Sequence, residues 1–167
     1  EKGAFTSAVK DKKGKFELTV LRPTNVFGEE HPFKALLNMF KHAQANKPLL
    51  YTSGAQVNYL YVGDLAACLI HFIAVEEQCE IYHVGTSMPL EKFYKLIKRE
   101  LPSNSKAIRI PSLLVKLASR IGIQKLNAIS NQVRYNDDKL KRVFVYPFDI
   151  EKGIKNTVNF YKAQNEL

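Results

Sequence analysis

Apolar residues recur at helical spacing in several separate stretches of the chain. Such spacing predicts amphipathic helices, each burying one face. The predicted helices cover residues 2–12, Pro32 to about Asn46, Leu65–Val75, Ser87–Leu101, Pro111–Arg120, Gln124–Val133, and a last segment from Ile150 through Tyr161. The Leu65–Val75 stretch is apolar nearly all round, so we expect it to be buried on more than one side.

Short runs rich in β-branched and aromatic residues lie between these helices and are bounded by glycine or proline. They predict strands at Phe16–Leu21, Leu49–Tyr51, Val57–Val62, Glu80–Val84 and Lys106–Ile110. Because proline cannot donate to a central ladder, Pro23 should end the first strand. Strands that alternate with helices predict an α/β fold with some parallel pairing.

Two aspartates precede or open predicted helices and are expected to cap them. Asp64 stands before the apolar Leu65–Val75 stretch, and Asp149 stands before the last helix. An aspartate carboxylate in this place can accept hydrogen bonds from the unpaired amides of the first turn. We therefore predict structural roles for both residues.

The composition is that of an ordinary globular domain, with 46% hydrophobic and 25% charged residues. The longest apolar run is far shorter than the roughly 20 residues that a spanning helix needs, so no membrane partner is expected. The net charge of +9 could indicate a nucleic-acid partner. Because no aromatic residues alternate with the basic ones on a strand, a solvated basic face is favoured over a nucleic-acid interface.

Familiar catalytic patterns are missing from the sequence. There is no glycine-rich dinucleotide fingerprint and no phosphate-binding Walker loop. The four histidines are scattered, and no Cys/His spacing suits a metal. The two cysteines, Cys68 and Cys79, are interpreted as buried, reduced thiols of a cytosolic protein. Taken alone, these patterns predict an α/β domain without visible catalytic groups.

Three ordered stretches nevertheless resemble motifs of one enzyme family. Leu21–Gly28 (LRPTNVFG) resembles the LRxxNVYG signature of extended short-chain dehydrogenases/reductases. Asn58–Ala66 (NYLYVGDLA) is similar to their RDFVYVDDLA segment, and Ile81–Gly85 (IYHVG) to their YNIG strand. A weaker match covers Asp138–Pro147. The set resembles the NAD-dependent epimerase/dehydratase family of nucleoside-diphosphate-sugar enzymes across essentially the whole chain.

The resemblance implies that residues 1–167 form the C-terminal, substrate-binding portion of such an enzyme, together with the last strands and helices of its Rossmann-like sheet. The dinucleotide-binding part, and a catalytic Tyr-x-x-x-Lys, would lie upstream of Glu1. The cofactor of the intact parent would be NAD or NADP, which this part alone should bind weakly. The parent would be cytoplasmic and could form a homodimer; this part alone would be inactive.

The family's ligand-binding positions can be carried over residue by residue. Pro23 and Val26 would lie against the cofactor, and Asn25, Tyr51, Asn58 and Arg142 would contact the substrate. Two of these residues have equally simple structural interpretations. Asn25 can be a turn former before Gly28, and Tyr51 can be ordinary strand packing.

One departure from the family pattern bears on the substrate. The family's diphosphate-gripping Arg-Asp pair is Val57-Asn58 here, and the C-terminal Leu-Gly pair is Phe144-Val145. The lost arginine weakens the assignment of a nucleotide-sugar substrate unless another cation replaces it. The candidates for this replacement are Lys139, Lys141, Arg142 and Arg134. A parent that reduces or dehydrates a non-nucleotide substrate is therefore an alternative, as is a non-enzymatic basic binding module.

Overall fold

The structure is a computed structural model that describes residues 19–30, 34–75, 80–120 and 129–167. Seven strands lie in these ranges: β1 Val20–Pro23, β2 Asn25–Phe27, β3 Leu49–Thr52, β4 Gln56–Tyr61, β5 Ile81–Val84, β6 Thr86–Pro89 and β7 Ala107–Ile110. The helices there are α1 Lys34–Gln44, α2 Val62–Ala74, α3 Leu90–Glu100, α4 Ser112–Arg120, α5 Asp138–Lys141 and α6 Ile150–Ala163. The predicted helix over residues 2–12 lies outside the described residues.

The strands form three small sheets with mostly parallel pairing. β1 pairs with β5, and β3 pairs with β7, both in parallel. In the third sheet β4 lies between β2, which is parallel to it, and β6, which is antiparallel. The chain crosses from the first sheet to the third twice, at Thr24 between β1 and β2 and at Gly85 between β5 and β6. The predicted α/β fold with parallel pairing is confirmed.

Two parts of the sequence prediction are wrong in this region. Thr86–Pro89 is a strand on the edge of β4, whereas a helix opening at Ser87 was expected; α3 begins only at Leu90. Local signals favoured a helix, but pairing with β4 satisfies the backbone groups of this segment. Residues 131–133 of the predicted Gln124–Val133 helix have no regular structure, and residues 124–128 lie outside the described ranges.

The structure confirms one of the two predicted helix caps and contradicts the other. Asp149 caps α6 as expected, since its carboxylate accepts a hydrogen bond from the Lys152 amide at 2.6 Å. The prediction for Asp64 is wrong because α2 already begins at Val62, which places Asp64 inside the first turn. Its carboxylate accepts instead from the Phe148 amide at 2.8 Å. Asp64 therefore fastens the segment before α6 to the start of α2.

The core consists of two clusters on opposite sides of the β2–β4–β6 sheet. The larger cluster joins Phe27, Val57, Tyr59 and Tyr61 of the strands to the apolar faces of α1, α3 and α6. The smaller cluster contains Leu60, Cys68, Tyr82, Val84, Leu140 and Phe144. Cys68 is fully buried, as expected, and burial raises the pKa of its thiol to about 11. Both faces of β4 are thus packed.

Tyr61 joins several elements at the end of β4. Its ring lies 5.8 Å from that of Phe27 and 5.5 Å from that of Phe148, measured between ring centroids. Its hydroxyl donates to the Glu29 carboxylate at 2.9 Å and accepts from the Asn156 amide at 3.0 Å. On α6, a Cβ added to Gly153 would lie 2.8 Å from this ring. Helix α6 can approach β4 closely because residue 153 has no side chain.

We expect Gly153→Ala to destabilise the protein by about 1–3 kcal/mol, because the added methyl group overlaps a ring that is fixed by two hydrogen bonds. In an unhindered helix the same change stabilises by about 1 kcal/mol, so the sign identifies the close contact. Urea unfolding followed by circular dichroism measures this effect. Asn159→Ala, at an exposed position of α6, is the control and should be neutral or slightly stabilising. A stabilised Gly153→Ala variant would contradict the contact.

Burial raises the pKa of Asp64 to about 6, with a smaller contribution from the negative charge of Asp149, although the Phe148 amide opposes the shift. The folded protein therefore holds this proton more tightly than the unfolded chain, whose aspartates titrate near 3.8. The contribution of this group to stability is fully present below about pH 4. It is lost as the pH rises from about 4 to about 6.

We expect Asp64→Asn to abolish the loss of stability between about pH 4 and about pH 6, because asparagine still accepts a hydrogen bond from the Phe148 amide and carries no charge. The free energy of unfolding of the variant should exceed that of the parent by on the order of 2 kcal/mol at pH 7.5, with the difference vanishing near pH 4. Urea titrations at a series of pH values measure the difference. Asp138→Asn, at an exposed position, serves as the control. An equal difference at every pH would contradict the assignment.

Candidate functional site

A cavity of about 280 Å³ opens beside the end of β3 and contains one of the predicted substrate residues, Tyr51. Its floor is the 52–56 turn that joins β3 to β4. Two arginines, Arg109 and Arg134, and one carboxylate, Glu91, complete the lining together with Pro89. The volume lies near the lower end of the range of small-molecule sites, about 300–1,000 Å³.

The elements around the cavity fix these side chains in different ways. Tyr51 in β3 is the register partner of Arg109 in β7, so both belong to neighbouring positions of one parallel pair. Glu91 stands in the first turn of α3. Arg134 comes from the segment 131–137, which has no regular structure. The lining thus converges from two strands, a helix and a connecting segment.

Tyr51 is oriented by contacts at its hydroxyl and on its ring. The hydroxyl hydrogen-bonds to the Glu91 carboxylate, which also pairs with Lys95 at 2.8 Å. The ring lies 6.5 Å from that of Tyr94 at an angle of 74°. Desolvation and the neighbouring Glu91 raise the pKa of Tyr51, so its hydroxyl stays protonated at neutral pH. The half-buried ring offers an apolar surface on the cavity wall.

Asn58 holds the segment that carries Arg134. Its side-chain amide donates to the Val133 carbonyl at 2.9 Å, and its side-chain oxygen accepts from the Ser87 hydroxyl at 2.6 Å. The Ser87 oxygen in turn accepts from the Tyr135 amide at 2.9 Å. Arg134 is therefore bracketed by two residues that are tied to β4 and β6. Asn58 itself is buried, with both polar atoms of its side chain engaged within the protein.

The cavity has the chemistry of a binding site for an anion that also carries a flat ring. Two guanidinium groups face one carboxylate, which leaves an excess of positive charge. Arginine can form paired, charge-assisted hydrogen bonds to phosphate oxygens, and an aromatic wall can pack against a ring. Among the described residues, no group of histidine, cysteine or acidic side chains could hold a metal ion.

The remaining predicted site residues lie elsewhere. Pro23, Asn25 and Val26 stand together where β1 ends and β2 begins, with Pro23 and Asn25 exposed and Val26 packed on the smaller cluster. This place is the carboxyl edge of the β1–β5 pair, where open α/β sheets bind ligands. Arg142 is exposed after α5 and does not line the cavity at Tyr51. The structure thus does not bring the predicted residues together in one site.

The four cations proposed to replace the family arginine also separate. Lys139 pairs with Glu80 at 2.6 Å, and Lys141 pairs with Asp137 at 2.7 Å. Arg134 alone of the four lines the cavity at Tyr51. Arg109 and Glu91 were missed by the sequence interpretation. Nothing in the sequence pairs β3 with β7, and without that pairing Arg109 is one exposed residue of a short strand.

A larger cavity of about 550 Å³ lies between α3 and the segment before α6. Aromatic and aliphatic side chains such as Tyr59, Met88 and Phe148 dominate its lining. It contains none of the six residues carried over from the family, although Lys141, one of the four candidate cations, lines it. The smaller cavity is therefore the better candidate, because it alone of the two combines a predicted residue with a cluster of arginines.

None of the described helices is long and apolar enough to cross a membrane.

Comparison with known proteins identifies relatives of this fold. A search of the curated proteins finds no match. Among solved structures, the chain is similar to the UDP-glucose 4-epimerase of Thermotoga maritima (TM-score 0.61, 18% identity, covering 88% of this chain and 46% of that one). It is also similar to the dTDP-glucose 4,6-dehydratase of Bacillus anthracis (TM-score 0.66, 15% identity, 99% and 50%). A third similar structure is the UDP-N-acetylglucosamine 4-epimerase of Methanobrevibacter ruminantium (TM-score 0.64, 17% identity, covering 96% of this chain and 51% of that one).

At these identities the likeness shows a shared fold, and the chain spans about half the length of each of these structures. The family assignment rests on the sequence. The model of the NAD dependent epimerase/dehydratase family matches residues 2–85, which is half of the chain. This range includes the LRPTNVFG, NYLYVGDLA and IYHVG stretches. The chain belongs to the NAD dependent epimerase/dehydratase family.

Proposed function

We propose that this chain is the substrate-binding part of an NAD(P)-dependent epimerase or dehydratase that acts on a nucleotide-linked sugar. The cavity at Tyr51 carries the proposal, because it places an aromatic wall beside two arginines. In the proposed complex, Tyr51 packs against the base, and Arg109 and Arg134 neutralise the diphosphate. Arg134 then supplies the charge that the family takes from an arginine at the position of Val57.

In the proposed enzyme, two different parts of the protein bind the cofactor and the substrate. Among the described residues β1 pairs only with β5, so its other edge can accept a further parallel strand. We infer that a dinucleotide-binding part completes the sheet there and brings the nicotinamide to Pro23 and Val26. The cofactor would take a hydride from the substrate and return it. Asn25 and Arg142 remain predicted substrate contacts at the cleft between the two parts, whereas the predicted contact of Asn58 becomes an indirect one, through the segment that it holds.

Catalytic proton transfer belongs to the other part in this proposal. Tyr94 and Lys98 have the Tyr-x-x-x-Lys spacing, but Tyr94 is buried and donates to the Leu50 carbonyl at 3.0 Å. Its pKa is raised to about 12 by burial, so it is unsuited to act as a base. The part described here should therefore be inactive alone, in a parent enzyme that resides in the cytoplasm and could form a homodimer.

The proposal predicts that UDP-, dTDP- or GDP-sugars bind at the cavity. Replacing either arginine, Arg109→Gln or Arg134→Gln, should weaken binding roughly tenfold to a hundredfold, because each removes a charge-assisted contact worth about 1.5–3 kcal/mol. Isothermal titration calorimetry measures the change. Lys155→Gln removes an equal charge from the exposed side of α6 and should leave the affinity unchanged.

The same titrations decide between two substrate classes. Val57 occupies the position at which the family has its arginine. The loss of that arginine favours the second class, a non-nucleotide substrate used by a reductase or dehydratase of the same fold. If none of the three nucleotide-sugar types binds, that second function replaces the first. If binding occurs and all three lysine and arginine variants weaken it equally, the anion is held by general charge and not by this cavity.

We expect Asn58→Asp to weaken nucleotide-sugar binding about tenfold, although Asn58 does not line the cavity. Aspartate still accepts from Ser87 but cannot donate to the Val133 carbonyl, so the segment bearing Arg134 loosens. Hydrogen exchange should show faster exchange of the Val133 and Tyr135 amides. Asn38→Asp, exposed on α1, is the matched control. Weaker binding with unchanged exchange at these amides would instead indicate a direct contact between Asn58 and the substrate.

A further inference from the structure

The larger cavity, of about 550 Å³, plays no part in the proposed binding of a nucleotide-sugar. Aromatic and aliphatic side chains form most of its wall, among them those of Tyr59, Tyr61, Met88, Leu96, Phe144 and Phe148. The rings of Tyr61 and Phe148 meet edge to face, with their centroids 5.5 Å apart. Small-molecule sites commonly have this volume and combine apolar walls with a few polar groups.

A buried carboxylate, that of Asp64, also lines this cavity. The residue is only 4% exposed. From the described residues, its oxygen Oδ1 accepts a hydrogen bond, donated by the Phe148 amide at 2.8 Å, whereas Oδ2 accepts none. Buried carboxylates normally have a cation or several donors around them, because the loss of water is otherwise uncompensated. Oδ2 is therefore available to a ligand in the cavity.

The electrostatic surroundings of Asp64 contain no compensating cation. Burial raises the pKa of its carboxyl to about 6, the charge of Asp149 raises it further, and the Phe148 amide opposes the shift. No described lysine or arginine contributes to this shift. At neutral pH, Asp64 is therefore a buried anion whose nearest charged neighbour is also negative.

The lysines around the cavity are engaged or exposed. Lys141, at the end of α5, pairs with Asp137 at 2.7 Å. The ammonium of Lys152, on α6, lies over the Phe148 ring, 4.6 Å from its centroid. Lys92, on α3, is exposed. None of them is placed to neutralise Asp64.

The other titratable groups of the lining do not compensate Asp64 either. Glu151, on α6, pairs with Arg99. Burial raises the pKa of the three tyrosines of the lining, which therefore stay neutral: Tyr59, Tyr61 and Tyr146. Within the described part of the chain, Asp64 is thus the only buried charge of this cavity.

We propose that this cavity is a second ligand site, which binds an aromatic amine in its protonated, ammonium form. The ammonium group donates to Oδ2 of Asp64, and the aromatic ring packs between the rings of Tyr61 and Phe148 and the side chains of Met88 and Leu96. The faces of the surrounding rings add to the attraction, because an aromatic face stabilises a nearby cation.

Other kinds of occupant fit the cavity less well. An anion would meet the charges of Asp64 and Asp149, and a purely apolar molecule would leave the buried carboxylate unpaired. A metal ion needs several protein ligands, and no group of three histidine, cysteine or acidic side chains among the described residues could supply them. An aromatic amine satisfies both the carboxylate and the apolar wall.

This site is distinct from the cavity at Tyr51, although the two are lined by neighbouring residues. Met88 and Lys92 line the amine site, whereas Pro89 and Glu91 line the cavity at Tyr51. The excess charge of the cavity at Tyr51 is positive and that of Asp64 is negative, so an ammonium group and a diphosphate select different sites. The proposal does not rest on the proposed function.

The first test compares two ligands that differ only in charge, 2-(1-naphthyl)ethylamine and its neutral analogue 2-(1-naphthyl)ethanol. In titrations of the chain followed by ¹H–¹⁵N NMR near neutral pH, the amine should bind at least tenfold more tightly, since its contact with Asp64 is charge-assisted. The amides of Tyr61, Asp64 and Phe148 should shift most. No binding of the amine, equal affinities for both compounds, or shifts confined to other parts of the chain would overturn the proposal.

Asp64→Asn supplies the second test, because asparagine keeps the hydrogen bond from the Phe148 amide and loses only the charge. The affinity for the amine should fall at least tenfold, to that of the alcohol, while the affinity for the alcohol stays the same. Asp138→Asn removes an equal charge outside the cavity and should change neither affinity. An Asp64→Asn variant that keeps the full affinity for the amine would refute the site.

The pH dependence of binding provides a third readout on the parent chain, which decides the matter even if the variant fails to fold. Only the ionised carboxylate attracts an ammonium group, so the affinity for the amine should rise roughly tenfold between about pH 5 and about pH 7, through the pKa of Asp64 near 6. The amine itself stays protonated in this range. An unchanged affinity across it would contradict the proposal. UDP-sugar titrations of Asp64→Asn should match those of the parent, so the proposed function is tested separately.

Discussion

The rest of the structure depends on the burial of β4 along its whole length. All six residues from Gln56 to Tyr61 are buried, so side chains on both faces of the strand are removed from water. The polar groups among them must find partners inside the protein, since a buried donor without one costs about 1–3 kcal/mol. Asn58 finds its partner in the 131–136 segment, and Tyr61 finds partners in Glu29 and α6. The 131–136 segment and α6, which both follow β4 in the chain, are thereby attached to the same central strand.

Much of this fold could be predicted from the sequence, because local patterns determine it. The periodic apolar residues of α1 and α6 and the β-rich runs of β3, β4 and β7 lie within one or two residues of their predicted places, and α3 ends one residue before its predicted end. β6 could not be predicted, since its strand character comes from pairing with β4 and not from its own residues. The start of α2 was misplaced because Val62 and Gly63 carry no helix-start signal, and a well-placed aspartate suggested a later start.

The candidate site was harder to predict than the fold. Tyr51 was found because the family resemblance marks its position, but Arg109 and Glu91 reach the same cavity only through the pairing of β3 with β7 and the start of α3. No spacing in the sequence connects positions 51, 91, 109 and 134. Asn58 matches a family motif and suggested a ligand contact, yet in the structure its side chain is engaged by Val133 and Ser87. Buried pairings of this kind are invisible before the chain is folded.

The attachment of Arg134 through its neighbours has a consequence for how such a site can change during evolution. The hydrogen bonds from Asn58 and Ser87 reach the backbone of residues 133 and 135, so they hold the segment whatever side chain occupies position 134. Position 134 can therefore vary in charge and length without loss of the scaffold. The same is true of the exposed Arg109 on its edge strand. Ligand preference and folding stability therefore depend on different residues here. Substitutions at position 134 or 109 can change the preferred ligand while Asn58 and Ser87 still hold the segment.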